Sequence, residues 1–577
     1  MTHFKDFDAQ IERVDDLPVI YGLLEQMHIQ VILDKIIPRH GNWQGLSAGW
    51  VTTIWLVHIL SDKNHLMEPV QVWVKNHLHT LRRLTGQKVQ ELDFTDDRLA
   101  SCLYYLHKQT IWQAVEEQLG ITLLRIYNLK GKKVVRLDAT VGTVGHDPAK
   151  HTIFKMGKAK NGSYETQYKM MLAGLDPMGL VLAVDVVSGN RADDPLYIPC
   201  YNRAKKTINQ DGLLVVGDSK MSALETRATI VLGKDYYLTP LAHAKDEPGL
   251  LDELLDPWRG REEEATLIFL PEDLPVDGSE PDPELAIARG FEISRERTTL
   301  VGKEKVTWIE RVLVVRSFSY TQTMQKGLRR RLDNAEKALR ALTPVRQRGK
   351  RQIKDEASLL AAIERVEKKY RVQGLFHTSY QQQVEERHIR AYKDKPARVE
   401  RKVRYQLTVT RNEDAIADVE FKAGWRIYVT NAPRKELGLA KVVLAYRGQY
   451  IVENIFRRLQ GKMLSITPVY VQRDDHAQGL FHLLTIAARL LALGDYQAQQ
   501  ALAKEKSELT GIYRGNPKRG TARPTTERML KAFENINLLL VPVQETTSYH
   551  LTQLSVVQER ILALLGLPIS LYTDLSA

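Results

Sequence analysis

The sequence predicts an α/β protein. A mixed β-sheet flanked by helices is interrupted by an α+β insertion, with a helical N-terminal domain and a helical C-terminal tail. Three observations predict it. Residues up to about 130 carry helical spacing and caps, and the texture turns β-branched at Lys132. From there strand-like and helix-like runs alternate, the pattern of a sheet with helices packed on it. A stretch from 242 to 424 then breaks that rhythm before one more strand and two helices follow.

Residues 1–130 form the helical N-terminal domain. Ser47 is placed to cap a helix through WVTTIWLVHIL, and Thr95 to cap another, with Asp96 and Asp97 in its first turn. The tryptophans and basic residues of this region (His77, His79, Arg82, Arg83) suit a module that binds DNA ends, and fit an ordinary helical domain equally. Residues 131–241 hold the first part of the sheet. KKVVRLDATVGTV reads as a strand, an Asn161-Gly162 turn follows, and QYKMMLAGLD and GLVLAVDVVSG form a hairpin around Asp176-Pro177. DDPLYIPCYNRAKKTI has helical spacing, GLLVVGDSK is a short buried strand, SALETRATIVLG is a helix ending at Gly233, and KDYYLTPL is a strand.

Residues 242–424 are the insertion. An acidic, Pro-rich lead from Lys245 to Glu284 precedes strand-like RTTLVGKEKVTWIERVLVVRS, and RYQLTVTRNEDAIADVEF is strand-like again. Between them lie two basic helices, MQKGLRRRLDNAEKALRAL and SLLAAIERVEKKYR. The insertion is expected to carry its own sheet and a helical hairpin. Residues 425–495 return to the main sheet with GWRIYVTN. A helix from about 445 to 464 stopped by Pro468 comes next, then one from 474 to 493 stopped by Gly494. Residues 496–577 are a basic linker, GNPKRGTARP, and an amphipathic helical tail.

Of 577 residues, 43% are hydrophobic and 26% charged, the balance of a soluble globular protein, which excludes wholesale disorder and collagen. The two cysteines, Cys102 and Cys200, make neither a disulfide framework nor a zinc finger. The first residues are acidic where a signal peptide needs an apolar run, and no uncharged apolar stretch approaches the roughly 18 residues that span a bilayer. A soluble protein of a reducing compartment, without a membrane partner, is expected. The net charge is +12, and residues 324–404 hold 23 basic and 10 acidic side chains, so that segment carries essentially the whole surplus. A concentrated basic segment is the electrostatic footprint of a nucleic-acid partner.

Three acids have unusual settings: Asp138 in VVRLDATVG, Asp218 after LLVVG, and Glu453 in YRGQYIVENIFRRLQGK. An isolated buried charge is costly, so an acid among apolar strand residues must be solvated, paired or bound to metal. Two acids on adjacent strands repel unless a cation lies between them. Divalent ions held by carboxylates serve phosphodiester chemistry, and Mg²⁺ suits all-oxygen sites. Asp185, Asp193, Asp194 and Asp147 compete, with solvent exposure or helix capping as their simpler roles.

The order of the three acids is that of an RNase H-like, retroviral integrase-like core: Asp on the first strand, Asp after the fourth, Glu on a later helix. The chain resembles DDE-type insertion-sequence transposases of the IS-4 superfamily, IS-1634-like group. The resembling residues are RLDATVGTV, GSYETQYKMMLAGLDPMGLVLAVDVVSGNRADD, LLVVGDSKM, WRIYVTN and the run from YRGQYIVENIFRRLQGK to LLAL. They cover roughly 130–240 and 420–495. The first two acids are 80 residues apart and the last two 235, room for a folded insertion. The family's helix motif has Tyr, Arg, Glu and Lys; Tyr446 and Glu453 fit it here, while Gln449 and Gln460 stand at the Arg and Lys positions. On one continuous helix these four share a face. Arg447, Arg457, Arg458 and Lys462 are the nearby cations, with Arg457 near the Glu453 face.

The resemblance implies metal-dependent cleavage of double-stranded DNA at terminal inverted repeats, followed by strand transfer into target DNA. Asp138, Asp218 and Glu453 would be the catalytic, metal-holding acids for two Mg²⁺ ions, with Mn²⁺ able to substitute. It implies DNA contacts by Tyr446, Arg447, Gln449, Arg457, Gln460 and Lys462, and a homodimer in a prokaryotic, nucleoid-associated setting. The basic insertion helix adds Arg329, Arg330 and Arg331 as phosphate contacts. Two alternatives stay open: a DNA-binding protein on the same scaffold without chemistry, and an RNase H-like nuclease without strand transfer. Other motifs carry less. Gly45-Leu46-Ser47-Ala48-Gly49 matches a nucleophile elbow but lacks the strand before it. His146 and His151 are expected in an exposed loop, and Asn161-Gly162-Ser163 has no secretory context.

Overall fold

The computed structural model describes residues 10–577 apart from 40, 42, 160–161, 242–246, 345–351, 392–395 and 544–545. The N-terminal region opens with strand β1 (Gln10–Arg13) and continues through helices α1 (Leu17–Gln26), α2 (Ile29–Ile36), α3 (Ala48–Asp62), α4 (Val70–Asn76), α5 (Leu78–Thr85), α6 (Asp96–His107) and α7 (Gln109–Ile126). Helix α3 is buried almost all round, as a helix apolar on every face must be. Ser47 caps it: its hydroxyl accepts from the Trp50 N–H at 3.4 Å and donates to Asp34 at 2.5 Å. The nucleophile-elbow match is thus a helix start. Thr95 occupies the N-cap of α6 but makes no side-chain cap bond.

The core follows as β2 (Val134–Thr143), β3 (Lys155–Lys158), β4 (Tyr164–Leu175), β5 (Leu180–Ser188), α8 (Tyr197–Ile208), β6 (Leu214–Gly217), α9 (Leu224–Leu232) and β7 (Tyr236–Pro240). The first strand and the hairpin run as expected; β3 is an added edge strand. Asn161 lies outside the described residues. β2 pairs antiparallel with β4, and β4 with β5, while β6 runs parallel to β2 and to β7. Three antiparallel strands followed by two parallel ones make the sheet mixed.

The insertion contains α10 (Leu250–Leu255), β8 (Thr266–Ile268), β9 (Ala288–Val301), β10 (Glu304–Ser317), α11 (Phe318–Arg340), α12 (Glu356–Tyr370), β11 (Phe376–Ile389), β12 (Arg398–Arg411) and α13 (Glu413–Lys422). It does not carry a separate main sheet. β10 pairs with β13 (Trp425–Thr430), which pairs with β7, so one ten-stranded sheet runs β3-β4-β2-β6-β7-β13-β10-β9-β8, with β5 also on β4. Among the described residues of the insertion, the β11–β12 ladder stands apart from that sheet. The two basic helices form as expected, and with β11 and β12 they enclose a second apolar cluster around Leu328, Leu332, Leu359 and Leu407. NEDAIADVEF, read as strand, is helix α13. The Asn412 side chain accepts from the Ala415 N–H at 3.2 Å, and Glu413 and Asp414 sit in the first turn, so capping outweighs the β-branched texture.

The chain closes with α14 (Leu439–Arg447), α15 (Tyr450–Gln460), α16 (Asp474–Glu505), α17 (Thr526–Leu530), β14 (Asn537–Val543), β15 (Thr546–Leu551), α18 (Val556–Leu564) and α19 (Ser570–Thr573). The single helix expected over 445–464 is two, broken at Gly448. A Cβ there would collide with the Arg136 guanidinium, so the backbone approaches the sheet as closely as glycine allows. Gly494 does not end α16, which runs on to Glu505; the glycine admits Thr526 against the helix. By length and composition α16 matches a membrane-crossing helix, but 94% of its apolar window is buried inside the protein. The tail is not wholly helical. β14 lies between β15 and β1, so the two ends of the chain share a three-stranded sheet.

Candidate active site

The parallel register of β2 and β6 sets Leu137 beside Gly217. The next residue on each is an acid: Asp138 within β2, and Asp218 just past the end of β6. Two carboxylates therefore occupy neighbouring strands at one level. Asp138 accepts from the Ala139 N–H at 2.8 Å. Asp218 Oδ1 accepts from the Lys220 N–H at 3.0 Å and from the Tyr197 hydroxyl at 2.5 Å. Burial holds the Tyr197 phenol far above its ordinary pKa, and the charge of Asp218, its hydrogen bond, and the charges of Asp138 and Asp193 push it further. Tyr197 is therefore a neutral donor to Asp218.

Beside the pair, Asp193 accepts from both Lys169 of β4 and Lys220. Burial works against the Asp193 carboxylate, but the hydrogen bonds and charges of the two lysines outweigh it and hold the group below its ordinary range. Asp193 is thus more than the helix-start residue its sequence position suggested. A cleft of about 480 Å³ opens here, lined by Thr140, Lys158, Lys169, Arg191, Asp193 and Lys220 among others. It follows Asp138 along β2, and Lys158, Lys169, Arg191 and Lys220 are its cations. Sequence reasoning passed over Tyr197, Lys169, Asp193 and Lys220 as a group. The local signal was the lysine two residues after Asp218, in GDSK.

Helix α15 lies along β2. At its start Gly448 abuts Arg136, which is bound to Asp176 by three hydrogen bonds of 2.7–3.0 Å. At its end the Gln460 side chain donates to the Val141 carbonyl at 3.3 Å. Glu453 falls between these contacts on the helix, as Asp138 falls between Arg136 and Val141 on the strand. Glu453 is exposed. Ile451 and Ile455, on the apolar side of α15, close on Gly174 and Gly179.

Two adjacent carboxylates are the hard oxygen donors that Mg²⁺ and Mn²⁺ take, so the Asp138–Asp218 pair fits such an ion. Glu453 is not gathered with them. Among the described residues no group of three or more His, Cys, Asp or Glu side chains is arranged to hold a metal ion.

The expected DNA contacts separate into kinds. Tyr446 lies in the last turn of α14, its ring centre 4.8 Å from that of Tyr428. Burial raises its pKa most, followed by the neighbouring Tyr428, and the charges of Asp218 and Asp138 add to the rise. Because α14 ends at Arg447, Tyr446 and Glu453 do not share one continuous helical face. Gln449 sits in the break with both amide atoms buried and without a hydrogen-bond partner in the protein. Arg447 and Lys462 are exposed, and among the described residues neither makes an ion pair. Arg457 is exposed and bonds Asn454. Gln460 spends its amide on Val141. Arg458 is committed to Asp495 and Glu527, which takes it out of the compensating set.

On α11, Arg329 and Arg330 are exposed, with Glu420 3.6 Å from Arg329, while Arg331 is half-buried with an unpartnered Nε. The N-terminal Arg82 and Arg83 are exposed but hold backbone carbonyls. Arg82 donates to the Val89 carbonyl and Arg83 to that of Ala577, and the His77 ring bonds the Trp73 carbonyl. His146 and His151, expected to be exposed, are enclosed. They bond the Val471 carbonyl at 3.0 Å and Asp474 at 2.7 Å, anchoring the start of α16.

A family model described as "Transposase DDE domain" matches residues 129–490. A second, described as a domain of unknown function (DUF4277), matches residues 9–117. Among solved structures, the chain is similar to a piggyBac transposase in a synaptic complex with hairpin DNA. The identity is 9% and the TM-score 0.33, over 86% of this chain and 77% of that one. No curated protein matches.

Proposed function

The chain belongs to the family of transposases with a DDE domain, and from that membership we propose that it cleaves double-stranded DNA at the ends of a mobile element and joins the freed 3′-hydroxyl to target DNA. The observation that carries the reading is the pairing of Asp138 and Asp218 on adjacent parallel strands inside the matched region. The strand order, three antiparallel strands and then two parallel, supports an RNase H-like core. Glu453, midway along a helix that tracks β2, is the third acid in this reading.

Asp138 and Asp218 would hold Mg²⁺, with Glu453 joining when DNA is bound. When bound, the ion supplies charge neutralisation at the phosphate and lowers the pKa of the attacking water. The chain's own residues supply the rest. Tyr197 and the Lys220 N–H both bond Asp218 Oδ1, fixing the carboxylate and leaving Oδ2 for a ligand. Lys220, about half exposed at the cleft, offers a cation to the scissile strand. Gln449 is left out of the proposed DNA contacts, because both its amide atoms are buried. Both steps are in-line displacements, in which positioning contributes heavily. Two copies would hold two ends together.

The test is Mg²⁺-dependent cleavage of a plasmid carrying the gene's flanking DNA. Wild type should cut at defined ends. Asp138→Asn, Asp218→Asn and Glu453→Gln should each lose several kcal/mol of transition-state stabilisation, about a thousandfold or more in rate, while retaining DNA binding. Undiminished cleavage in any variant removes that residue from the site. Specific binding by wild type without cutting would leave a DNA-binding protein without chemistry.

A further inference from the structure

Residues 513–531 hold six basic side chains and one acidic one. The acid, Glu527, is taken by Arg458, and Arg514 is taken by Glu534. That leaves five cations, Lys518, Arg519, Arg523, Arg528 and Lys531, all exposed, and the three arginines converge. Among the described residues none of the three makes an ion pair. The guanidinium groups of Arg519 and Arg528 lie 4.4 and 4.2 Å from the centre of the Tyr513 ring. Such stacking orients a cation without neutralising it. With Tyr513, the three arginines line a pocket of about 250 Å³. Three like charges converging on one small space repel each other unless an anion enters.

The pocket does not stand alone. Arg523 and Thr525 also line a cleft of about 900 Å³ whose other wall is α15, through Tyr450, Asn454 and Arg457, with Lys462 just past its end. Tyr450 is 57% exposed there. Tyr450, Asn454 and Arg457 bracket Glu453 within one turn on either side. The acids of this cleft, Asp495 and Glu527, are taken by Arg458, so Arg457, Lys462 and Arg523 are left as its unpaired cations between the helix of the third acid and the arginine pocket. An isolated phosphate would fill the pocket alone; a polyanion spans pocket and cleft together. Guanidinium groups suit a phosphodiester backbone.

We propose that Arg519, Arg523 and Arg528 of the C-terminal segment, together with the outer side of α15, grip the phosphate backbone of the DNA that the active site cuts. The inference rests on the DNA substrate proposed above. It adds a grip distinct from the basic insertion helices.

The test uses the full-length chain and a labelled duplex carrying the flanking end, with Kd measured across a salt series. Replacing the three arginines by Gln should weaken binding and reduce the slope of log Kd against log salt by about 2.7, since each phosphate that is no longer neutralised removes about 0.9. Replacing them by Lys should keep most of the slope. Melting curves check that each variant folds. A steep wild-type slope left unchanged in the Gln variant overturns this grip and leaves the DNA substrate intact. Absence of salt-sensitive DNA binding by wild type overturns the parent reading, and this one with it.

Discussion

His58 sits on α3 with its ring edge-on to Trp73, centroids 5.1 Å apart, and neither ring nitrogen has a hydrogen-bond partner in the protein. Burial pulls its pKa down to about 4, and the charge of His77 adds to the pull. His482, stacked on Trp112, is pulled by burial to about 3. A base with a depressed folded pKa binds fewer protons folded than unfolded. Its contribution is therefore intact above about pH 6.5 and lost as pH falls through the folded pKa. We expect Tm to fall between pH 7 and pH 4. His58→Leu should flatten part of that fall and, by removing unsatisfied buried nitrogens, gain about 1 kcal/mol at neutral pH. Melts of both proteins across the range check this; a parallel profile would discard His58 as a source of the pH dependence. Residues of this kind differ in legibility. Asp138 and Asp218 stood out in the sequence because apolar strand neighbours made a charge anomalous. His58 did not, because a lone histidine on an apolar helix has no local tell.

Among elements, α11 shows an amphipathic pattern carried through to packing. Leu328, Leu332, Ala335 and Leu339 turn into the insertion's apolar cluster, which leaves Arg329 and Arg330 outward. If this face meets phosphates, replacing Arg329, Arg330 and Arg331 by Gln should reduce the salt slope of DNA binding by about two to three. The Glu420 neighbour and half-buried Arg331 favour the lower value. An unchanged slope would leave α11 a solvated helix. Helix α15 shows the opposite case. Its sequence reads as one helix with α14, and the close approach of Arg136, over 300 positions earlier, to the break at Gly448 is visible only in the fold. The cap of α13 was readable from Asn412, Glu413 and Asp414, and the β-branched texture masked it.

At the scale of the molecule, the chain's two ends are one unit. β1 pairs Gln10–Arg13 with residues 537–540 of β14, and the Tyr572 hydroxyl donates to the Asp15 carbonyl at 2.6 Å. A chain ending at residue 535 would lose the buried Leu538, Leu540, Ile561, Leu562 and Tyr572. At about 1.5–3 kcal/mol for each buried aliphatic side chain, that loss rivals the whole stability of a typical domain. We expect the truncated chain to be insoluble, or to have its N-terminal helices cleaved early in limited proteolysis. A truncated chain that melts and resists protease like the full one would separate the two ends.

The sequence by itself determined the alternation of strands and helices, the three acids in order, the basic helices of the insertion, and the family resemblance. These are properties of short windows: periodicity, capping, and a charge where apolar neighbours make it costly. Tertiary structure alone decided that the insertion's β8, β9 and β10 extend the core sheet, that the tail supplies a strand beside β1, and that α15 breaks at Gly448. It also joined Lys169, Asp193 and Lys220 into one cluster, and Tyr513 with three arginines into another. Each of these depends on which distant segment becomes the neighbour. Strand partners and close approaches are chosen by burial and register across hundreds of residues, and no local window contains that information.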